Sequence, residues 1–366
     1  MESSRETLKI RKSMIVGSVQ ELAKECLVKI PPRYERFDDQ ENPVVDDDES
    51  SLLSVPVIDL QRLMDSGDFM DDSELEKLHA ACKDWGFFQV VNHGVSNKLV
   101  DGVKLETEKL FKLPYEEKKK LWQQPESNNP SEGFGQAFVL SEDQKLDWSD
   151  MFAIFTLPLY ITNNSFYDKL PPNLREILKA YSTETKRVSM ELLGCLAKAL
   201  KMDSEEMQEL FHDGFQAMRM NYYPPCPEPE KAIGFTPHSD ADALTILLQL
   251  DQTDGLQIRK DGKWALIKPL PNAFVVNVGD ILEIVSNGVY KSIEHRVTVN
   301  STKERLSVAV FYSSNLDSIL GPASTLISAH NPPIFRQVTT KKYYEEYFGR
   351  KLNGKSFLDS MRVADV

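Results

Sequence analysis

The second half of the chain consists of short apolar runs separated by turn-forming residues. From residue 218 onward these runs are MRMNYY, ALTILLQL, LQIRK, WALIKPL, AFVVNVG, ILEIVSNG, KSIEHRVTV and RLSVAVFYS. Asp261-Gly262 lies between two of them and is a strong signal for a hairpin turn. Many short strands at regular spacing predict an antiparallel sandwich or barrel.

The first half of the chain and its tail have mainly helical periodicity. Apolar residues recur at helical spacing in SELEKLHAACKDWG, NKLVDGVKLETEKLFKL and the long PNLREILKAYSTETKRVSMELLGCLAKALKM. VPVIDLQRL and FFQVVNHGV predict two short strands among these helices, and the tail TKKYYEEYFGRKLNGKSFLDSMRV predicts further helix. We therefore expect a helical N-terminal half joined to a β core.

The predicted regions form one folded unit. Residues 36–54 are acidic and contain proline, which is typical of an exposed linker. The expected organisation, in chain order, is an N-terminal extension with this linker (1–54), a mostly helical region (55–205), the β core (206–320) and a C-terminal helical segment (321–366).

Composition and charge exclude several classes of partner. The 366 residues carry a net charge of −13, which argues against a polyanion such as nucleic acid as ligand. No stretch reaches the length of apolar sequence that a membrane span needs, and the first residues lack the apolar core of a secretory signal. The four cysteines are far apart and lack CxxC spacing, which is typical of reduced thiols in a cytosolic protein. We expect a cytoplasmic, monomeric protein that acts on a small molecule.

Three residues of the β core have the side chains of a metal site. His238 and Asp240 are two residues apart, so an extended backbone directs both to the same face. His295 lies in KSIEHRVTV, a later predicted strand. Two imidazoles and one carboxylate are the ligand set of non-haem Fe(II) oxygenases, although catalytic zinc also uses such a set. The ligands alone leave the choice of metal open.

Two further strands carry polar residues on one face. Arg305 and Ser307 alternate in KERLSVAVF, and Asn221 and Tyr223 alternate in MRMNYYPPCP. An arginine that faces into a barrel needs an anion, and a guanidinium beside a hydroxyl suits a carboxylate. The pattern predicts a pocket with a metal at one end and a carboxylate-binding group at the other.

With these motifs in place, the chain resembles the plant 2-oxoglutarate- and Fe(II)-dependent dioxygenases. Within them it is similar to the senescence-related group, to which thebaine 6-O-demethylase and codeine O-demethylase belong. The resemblance covers nearly the whole chain and includes VPVIDLQRL, ACKDWGFFQVVNHGV, EGFGQAFVLSEDQKLDW, MRMNYYPPCPEPE, HSDADALTILLQL, KSIEHR and KERLSVAVF. It implies an α+β fold whose core is a double-stranded β-helix, or jelly roll, flanked by N-terminal and C-terminal helices.

The resemblance also implies a set of roles. His238, Asp240 and His295 would bind Fe(II), and Arg305, Ser307, Asn221 and Tyr223 would bind 2-oxoglutarate. O₂ would be the second cosubstrate and ascorbate the reductant. The implied activity is hydroxylation or O-demethylation of a plant specialised metabolite, such as an alkaloid or flavonoid, with release of succinate and CO₂. Two alternatives stay open: an Fe(II) oxidase of the same fold that does not use 2-oxoglutarate, and an inactive small-molecule-binding relative.

Five residues are candidates for contact with the organic substrate. They either share a face with the motifs above or lie in a family segment that covers the active site: Phe311, Phe134, Phe138, Arg219 and Asp242. For Arg219, a salt bridge at the edge of the core competes with a pocket role. Asp242 follows the metal motif by two residues, so it points to the pocket mouth if the strand stays extended. If the backbone turns after Asp240, Asp242 lies in water or caps a neighbouring amide.

Overall fold

The computed structural model describes residues 13–25, 27–36, 54–64, 72–124 and 131–363. Residues 37–53, most of the predicted acidic linker, lie outside them. Eleven α-helices are found in the described part of the chain: α1 (Val19–Ala23), α2 (Leu60–Met64), α3 (Asp72–Ala80), α4 (Asn97–Phe111), α5 (Tyr115–Lys120), α6 (Asn164–Tyr167), α7 (Pro172–Ala199), α8 (Ser204–Phe211), α9 (Asp280–Val285), α10 (Thr340–Phe348) and α11 (Ser356–Ser360).

The helix ends follow local chemistry. Ser96 begins α4 by accepting a hydrogen bond from the backbone N–H of Leu99. The turn Ala81–Trp85 extends α3 and ends at Gly86, whose φ of 61° lies in the left-handed region. A side chain on Gly86 would also meet the Lys291 carbonyl oxygen at 2.1 Å, so only glycine fits here.

The strands form two main sheets and a small antiparallel sheet of two strands. The larger sheet has the order β1-β2-β10-β7-β12-β5-β4-β3, and the smaller has the order β6-β11-β8-β9. The strands are β1 (Val57–Asp59), β2 (Phe87–Val91), β3 (Gly133–Gly135), β4 (Asp150–Leu157), β5 (Gln216–Tyr223), β6 (Phe235–His238), β7 (Leu244–Gln249), β8 (Leu256–Lys260), β9 (Lys263–Leu266), β10 (Phe274–Val278), β11 (His295–Val297), β12 (Arg305–Tyr312), β13 (Ile319–Leu320) and β14 (Val338–Thr339).

The two main sheets pack face to face, and helices cover the outside. Tyr223 and Val275 of the larger sheet share a hydrophobic cluster with Leu256, Ile258 and Val297 of the smaller one. On its other face the larger sheet packs against α7, which also packs against α4 and α3. Helix α7 has buried residues every three or four positions along its length, as a helix between a sheet and other helices requires. The α+β fold with a jelly-roll core and flanking helices is confirmed.

Two expectations from the sequence need correction. The run ILEIVSNG, predicted as a strand, forms helix α9, because a short fully buried apolar run has no periodicity that separates the two structures. The larger sheet is also mixed, since β1 pairs with β2 in parallel. Strands of the mostly helical region, β1 to β4, thus extend the core sheet on both sides.

Within the described residues, no helix is both long and apolar enough to cross a membrane.

Candidate active site

The inner face of the larger sheet is organised in rows of side chains. Residues that pair directly across antiparallel strands have side chains on the same face, so the register fixes which of them are neighbours. Four rows run across β4, β5, β12 and β7 in whole or in part: Phe155, Ala217, Phe311 and Thr245; Ala153, Arg219, Ala309 and Leu247; Met151, Asn221, Ser307 and Gln249; and Tyr223 with Arg305. This face looks towards the smaller sheet.

The three predicted metal ligands meet at the edge of this face. We call His238, Asp240 and His295 the metal cluster. His238 ends β6 and pairs with His295, which begins β11. The Asp240 Oδ1 atom lies 3.3 Å from His238 Nε2 and 3.6 Å from His295 Nε2. Potential ligand atoms of the three residues lie within 4.8 Å of one another, which is the spacing around a single metal ion.

Backbone carbonyl groups orient both imidazoles of the metal cluster. The Nδ1 atom of His238 lies 2.8 Å from the Thr236 carbonyl oxygen, and Nδ1 of His295 lies 3.2 Å from that of Ile293. A carbonyl oxygen only accepts, so Nδ1 carries the proton and the lone pair stays on Nε2, facing the cluster. Burial and the neighbouring His238 lower the pKa of His295 to about 4, so the ring is neutral and able to bind a metal at neutral pH.

Two donors hold the carboxylate of the cluster. Burial alone would raise the pKa of Asp240, but the two histidines and a Thr245 hydrogen bond lower it well below its usual value. The Thr245 hydroxyl donates to Asp240 Oδ2 at 2.6 Å, and the Asn277 amide donates to the same oxygen at 2.9 Å. These bonds occupy Oδ2 and turn Oδ1 towards the histidines. The sequence reasoning missed Thr245 and Asn277, although both lie in predicted strands beside the HSD motif.

The residues predicted to bind a carboxylate lie on one patch of the same cavity. We call Asn221, Tyr223, Arg305 and Ser307 the anion end. All four line a chamber of about 50 Å³ together with the metal cluster. The Arg305 Nη2 atom donates to Gln249 Oε1 at 2.9 Å, whereas its Nε and Nη1 atoms are buried without a hydrogen-bond partner among the described residues. A buried guanidinium with free donors fits a carboxylate ligand.

A second, larger and more apolar chamber opens on the other side of the metal cluster. We call this chamber of about 130 Å³ the aromatic chamber. Its aromatic side chains come from distant parts of the chain: Phe138, Phe155, Phe215, Phe235, Phe311, Tyr344, Tyr347 and Phe348. The two chambers adjoin, because five residues line both of them: His238, Asp240, Arg219, Phe235 and Phe311.

Helix α10 supplies one wall of the aromatic chamber. Tyr344, Tyr347 and Phe348 share one face of the helix, and Tyr343 donates a hydrogen bond to the Ala241 carbonyl oxygen at 2.9 Å. This bond ties the helix to the loop that carries Asp240. The aromatic residues of YYEEYF at spacing i, i+3, i+4 were the sequence signal, but the strand that they face could not be identified from that spacing.

The structure places two of the predicted aromatic contacts in the aromatic chamber and moves one to the core. Phe311 and Phe138 line the chamber, where the ring of Phe138 stacks on Phe348 with centroids 5.7 Å apart. Phe134 instead pairs with Phe152, one residue out of phase with the inner face of β4, and its ring packs against Phe111. Because alternate residues of a strand face opposite sides, Phe134 belongs to the core, and we correct its assignment.

Asp242 follows the expectation that the backbone turns after Asp240, but its side chain is buried and lines the aromatic chamber. The backbone bends at 241–243, so the segment is not an extended strand, yet only 2% of Asp242 is exposed, so the side chain does not lie in water. Its carboxyl oxygens lie 3.1 and 3.3 Å from Thr245 Oγ1. Gly279 makes this packing possible, since a Cβ there would meet the Asp242 carbonyl oxygen at 2.1 Å. Burial and the charge of Asp240 raise the pKa of Asp242 well above its usual value.

Arg219 lies between the two chambers. Its guanidinium carbon is 4.1 Å from the centroid of the Phe235 ring, and its Nε atom has no hydrogen-bond partner among the described residues. The salt bridge at the edge of the core that the sequence left open is not found with any described carboxylate.

The donor set fits an iron ion with a bidentate acid beside it. Two imidazoles and one carboxylate would hold the ion and leave positions for the acid and for O₂. The unpaired donors of Arg305 then lie on the same chamber for the far end of that acid. A site that bound only zinc would leave these buried donors without a role.

Comparison with known proteins agrees with this geometry. Residues 214–314 match the family model of the 2OG-Fe(II) oxygenase superfamily, and residues 55–173 match that of the non-haem dioxygenase in morphine synthesis N-terminal domain. Thebaine 6-O-demethylase of Papaver somniferum is 50% identical over 97% of this chain and 98% of its own length.

Two further matches also cover nearly the whole chain. Oxoglutarate-dependent flavonoid 7-O-demethylase 1 of Ocimum basilicum is 48% identical over 98% of this chain and 94% of its own length. The crystal structure of JOX2 in complex with 2OG, Fe and JA superposes with a TM-score of 0.86, at 36% identity, over 96% of this chain and 99% of that one.

Proposed function

The chain belongs to the 2OG-Fe(II) oxygenase superfamily, and we propose that it hydroxylates or O-demethylates a plant specialised metabolite such as an alkaloid or a flavonoid. It is a 2-oxoglutarate-dependent dioxygenase that uses Fe(II) and 2-oxoglutarate, and its substrate is a small molecule. The proposal concerns the class of that substrate and the residues that act on it.

We assign Fe(II) to the metal cluster and 2-oxoglutarate to the anion end. The observation that carries the assignment is that two donors of Arg305, Nε and Nη1, have no hydrogen-bond partner among the described residues and line the same chamber as the metal cluster. Ser307 pairs with Asn221 across β5 and β12, and the Asn221 amide lies 3.4 Å from the Ser307 hydroxyl oxygen. These polar groups, with Tyr223, would surround the distal carboxylate and fix the direction in which 2-oxoglutarate enters the site.

Iron, when bound, supplies the activation of O₂ that couples decarboxylation of 2-oxoglutarate to oxidation of a C–H bond. The residues of the chain orient the metal ligands and shape the site. Thr245 and Asn277 keep Asp240 oriented, and the carbonyl oxygens of Thr236 and Ile293 keep both imidazoles in the binding tautomer. The apolar walls of the aromatic chamber exclude water and decide which carbon faces the metal cluster.

An O-methyl substrate gives a balanced reaction. The methyl ether, O₂ and 2-oxoglutarate yield the hydroxymethyl ether, succinate and CO₂. The hydroxymethyl ether then releases formaldehyde and leaves the free hydroxyl. The relatives named for O-demethylation of thebaine and of flavonoids support this outcome, and the apolar aromatic chamber suits the flat rings of such molecules.

The two alternatives predict different products. An Fe(II) oxidase would turn over without 2-oxoglutarate, and an inactive binding relative would form no succinate. The intact metal cluster and the free donors of Arg305 favour neither alternative over the 2-oxoglutarate-dependent dioxygenase. We further propose that the enzyme is a cytoplasmic monomer and that ascorbate keeps its iron reduced.

The decisive experiment is a substrate screen. The purified protein is incubated with Fe(II), ascorbate and 2-oxoglutarate and with panels of methoxylated alkaloids and flavonoids, and products are read by mass spectrometry. We expect one substrate class to lose fourteen mass units per turnover, about one methylene, with equal amounts of succinate and formaldehyde. Product that forms equally without 2-oxoglutarate would overturn the assignment.

A further inference from the structure

Arg219 has a position that the proposed reaction does not yet use. It lies on β5, paired with Ala153 of β4 on one side and with Ala309 of β12 on the other. Both neighbours in its row are therefore methyl groups, which leave space on both sides of the long side chain. Arg219 lines the anion end's chamber and the aromatic chamber alike.

The guanidinium has no anionic partner within the described part of the chain. The guanidinium carbon lies 4.1 Å from the centroid of the Phe235 ring, which attracts a cation without neutralising it. The carboxylates nearest in electrostatic terms are Asp147 and Asp240. Asp147 already accepts from Arg36 at 2.8 Å and from Thr236 at 2.6 Å, and Asp240 belongs to the metal cluster. Burial accordingly lowers the pKa of Arg219.

The proposed ligands leave Arg219 without a partner. Asp240 would pair with the metal, and the two carboxylates of 2-oxoglutarate would pair with the metal and with Arg305. Arg219 is half-buried, and its Nε atom is buried without a hydrogen-bond partner among the described residues. An unpaired buried donor costs free energy, so the bound state is favoured by a ligand that pairs with it.

We propose that the organic substrate presents an acidic oxygen, a carboxylate or an ionisable phenol, to the Arg219 guanidinium. This inference rests on the proposed function and narrows it, because it selects acidic aromatic substrates over protonated amines. A cationic amine would meet Arg219 as a like charge in a cavity of low dielectric constant. Arg219 then orients the substrate, while Phe311 and α10 enclose its rings.

The test is anaerobic calorimetric titration of the protein loaded with Fe(II) and 2-oxoglutarate, so that binding is measured without turnover. Four probes are compared: a methoxyflavone with an acidic hydroxyl group, the same flavone fully O-methylated, a methoxycinnamate and a methoxylated tertiary-amine alkaloid. The variants are Arg219→Gln and Arg219→Lys. Arg175→Gln is the matched control, because Arg175 pairs with Asp168 at 3.0 Å on the surface, away from both chambers.

We expect Arg219→Gln to weaken binding of the acidic probes by about tenfold, the effect of one charge-assisted hydrogen bond. Binding of the O-methylated flavone should change less than about twofold by the same reasoning. Arg219→Lys should recover part of the lost affinity. The control Arg175→Gln should bind all four probes with wild-type affinity. If only the hydroxylated flavone loses affinity, the acidic group is a phenol. If only the cinnamate loses affinity, the acidic group is a carboxylate.

Three results would overturn the inference: an equal change for all four probes, no change for any, or tightest binding of the alkaloid by the wild-type protein. A large rise in the Kd of 2-oxoglutarate in Arg219→Gln would also overturn it, because Arg219 would then serve the cosubstrate. Failure of the proposed function has a different signature, since the wild-type protein would then not bind 2-oxoglutarate at all.

Discussion

The anion end and the aromatic chamber lie on one cavity but are built in opposite ways. The anion end comes from two adjacent strands, β5 and β12, whose register fixes four polar side chains relative to one another. The aromatic chamber draws on β4, β5 and β12, on the segment around Phe138 and on α10, which lie far apart in the chain. One region therefore depends on local pairing, and the other depends on how distant elements pack.

The difference assigns separate tasks to the two regions. Strand register tolerates little change, because a shift by one residue would turn Arg305 and Ser307 to the opposite face. A wall made of separate elements can change one side chain at a time without disturbing the strands. On the proposed function, reactivity would thus depend on the rigid part of the fold, and substrate selection on the part that can vary.

The largest effect should come from the metal cluster, on which both regions depend. Changing His238, Asp240 or His295 to Ala removes one metal bond, and we expect turnover to fall by about a thousandfold or more. Succinate formation measures activity, while circular dichroism measures the fold, which should be retained. Activity that survives any of these changes, or that survives exhaustive chelation, contradicts the assignment of the cluster.

The next change separates the anion end from the aromatic chamber. Arg305→Lys keeps the charge but loses the planar fork of donors. The KM for 2-oxoglutarate should rise by about ten- to a hundredfold, as expected for the loss of about 1.5–3 kcal/mol from a charge-assisted hydrogen bond. The KM for the organic substrate should change far less. An unchanged dependence on 2-oxoglutarate would favour the oxidase.

A matched pair of phenylalanines tests the aromatic chamber. Phe138→Leu should raise the KM for the organic substrate several-fold, since Phe138 lines the chamber, while leaving the KM for 2-oxoglutarate within about twofold. Phe134→Leu should instead lower the free energy of unfolding by about 1–2 kcal/mol, because its ring packs in the core. Steady-state kinetics and thermal unfolding of both variants give the answer.

The pair also has a clear opposite outcome. If Phe134→Leu changed the KM and Phe138→Leu changed only stability, the assignment of the inner face of β3 and β4 would be wrong. Phe134 would then lie on the chamber side of β3, in place of Gly133 and Gly135, which pair with the inner-face residues Ala153 and Met151.

The same contrast explains how far the sequence alone predicts the molecule. The alternation of Arg305 with Ser307, and of Asn221 with Tyr223, was enough to predict one polar face, and the HSD motif predicted the metal cluster. Helix α9 was not predicted, because the apolar run in its sequence is buried on all sides. Phe134 was misplaced because alternation can be read only when the phase of the strand is known.

The walls of the aromatic chamber were beyond sequence reasoning for a different reason. Tyr344, Tyr347 and Phe348 line the chamber beside the metal cluster because α10 packs against the loop at Ala241, to which Tyr343 bonds across a separation of 102 residues. No local pattern encodes that contact. In the sequence, Thr245 and Asn277 have no feature that distinguishes them from other strand residues. Only the fold shows that both donate hydrogen bonds to Asp240.

The smallest effect is expected at Asp242, which lines the aromatic chamber two residues beyond Asp240. Its pKa is raised by burial and by the charge of Asp240, so the native side chain is neutral in the range where an unfolded aspartate is already ionised. Asp242→Asn preserves this neutral shape. We therefore expect kcat and both KM values to change by less than about twofold at pH values below the raised folded pKa, because no charge is removed there.

Stability should reveal what the kinetics of Asp242→Asn do not. Because the folded pKa lies above the unfolded one, the wild-type protein loses stability as the pH rises from about 4, the unfolded pKa of aspartate, up to its raised folded value. The Asn variant has no such loss at this position, so its advantage in Tm should be absent near pH 4 and should grow towards neutral pH. Thermal unfolding of both proteins across that range checks the sign. A several-fold rise in the KM of the organic substrate, with an equal Tm at every pH, would instead make Asp242 an ionised partner of a cationic substrate. That outcome would also count against an acidic group at Arg219, since the aromatic chamber would then hold the opposite charge.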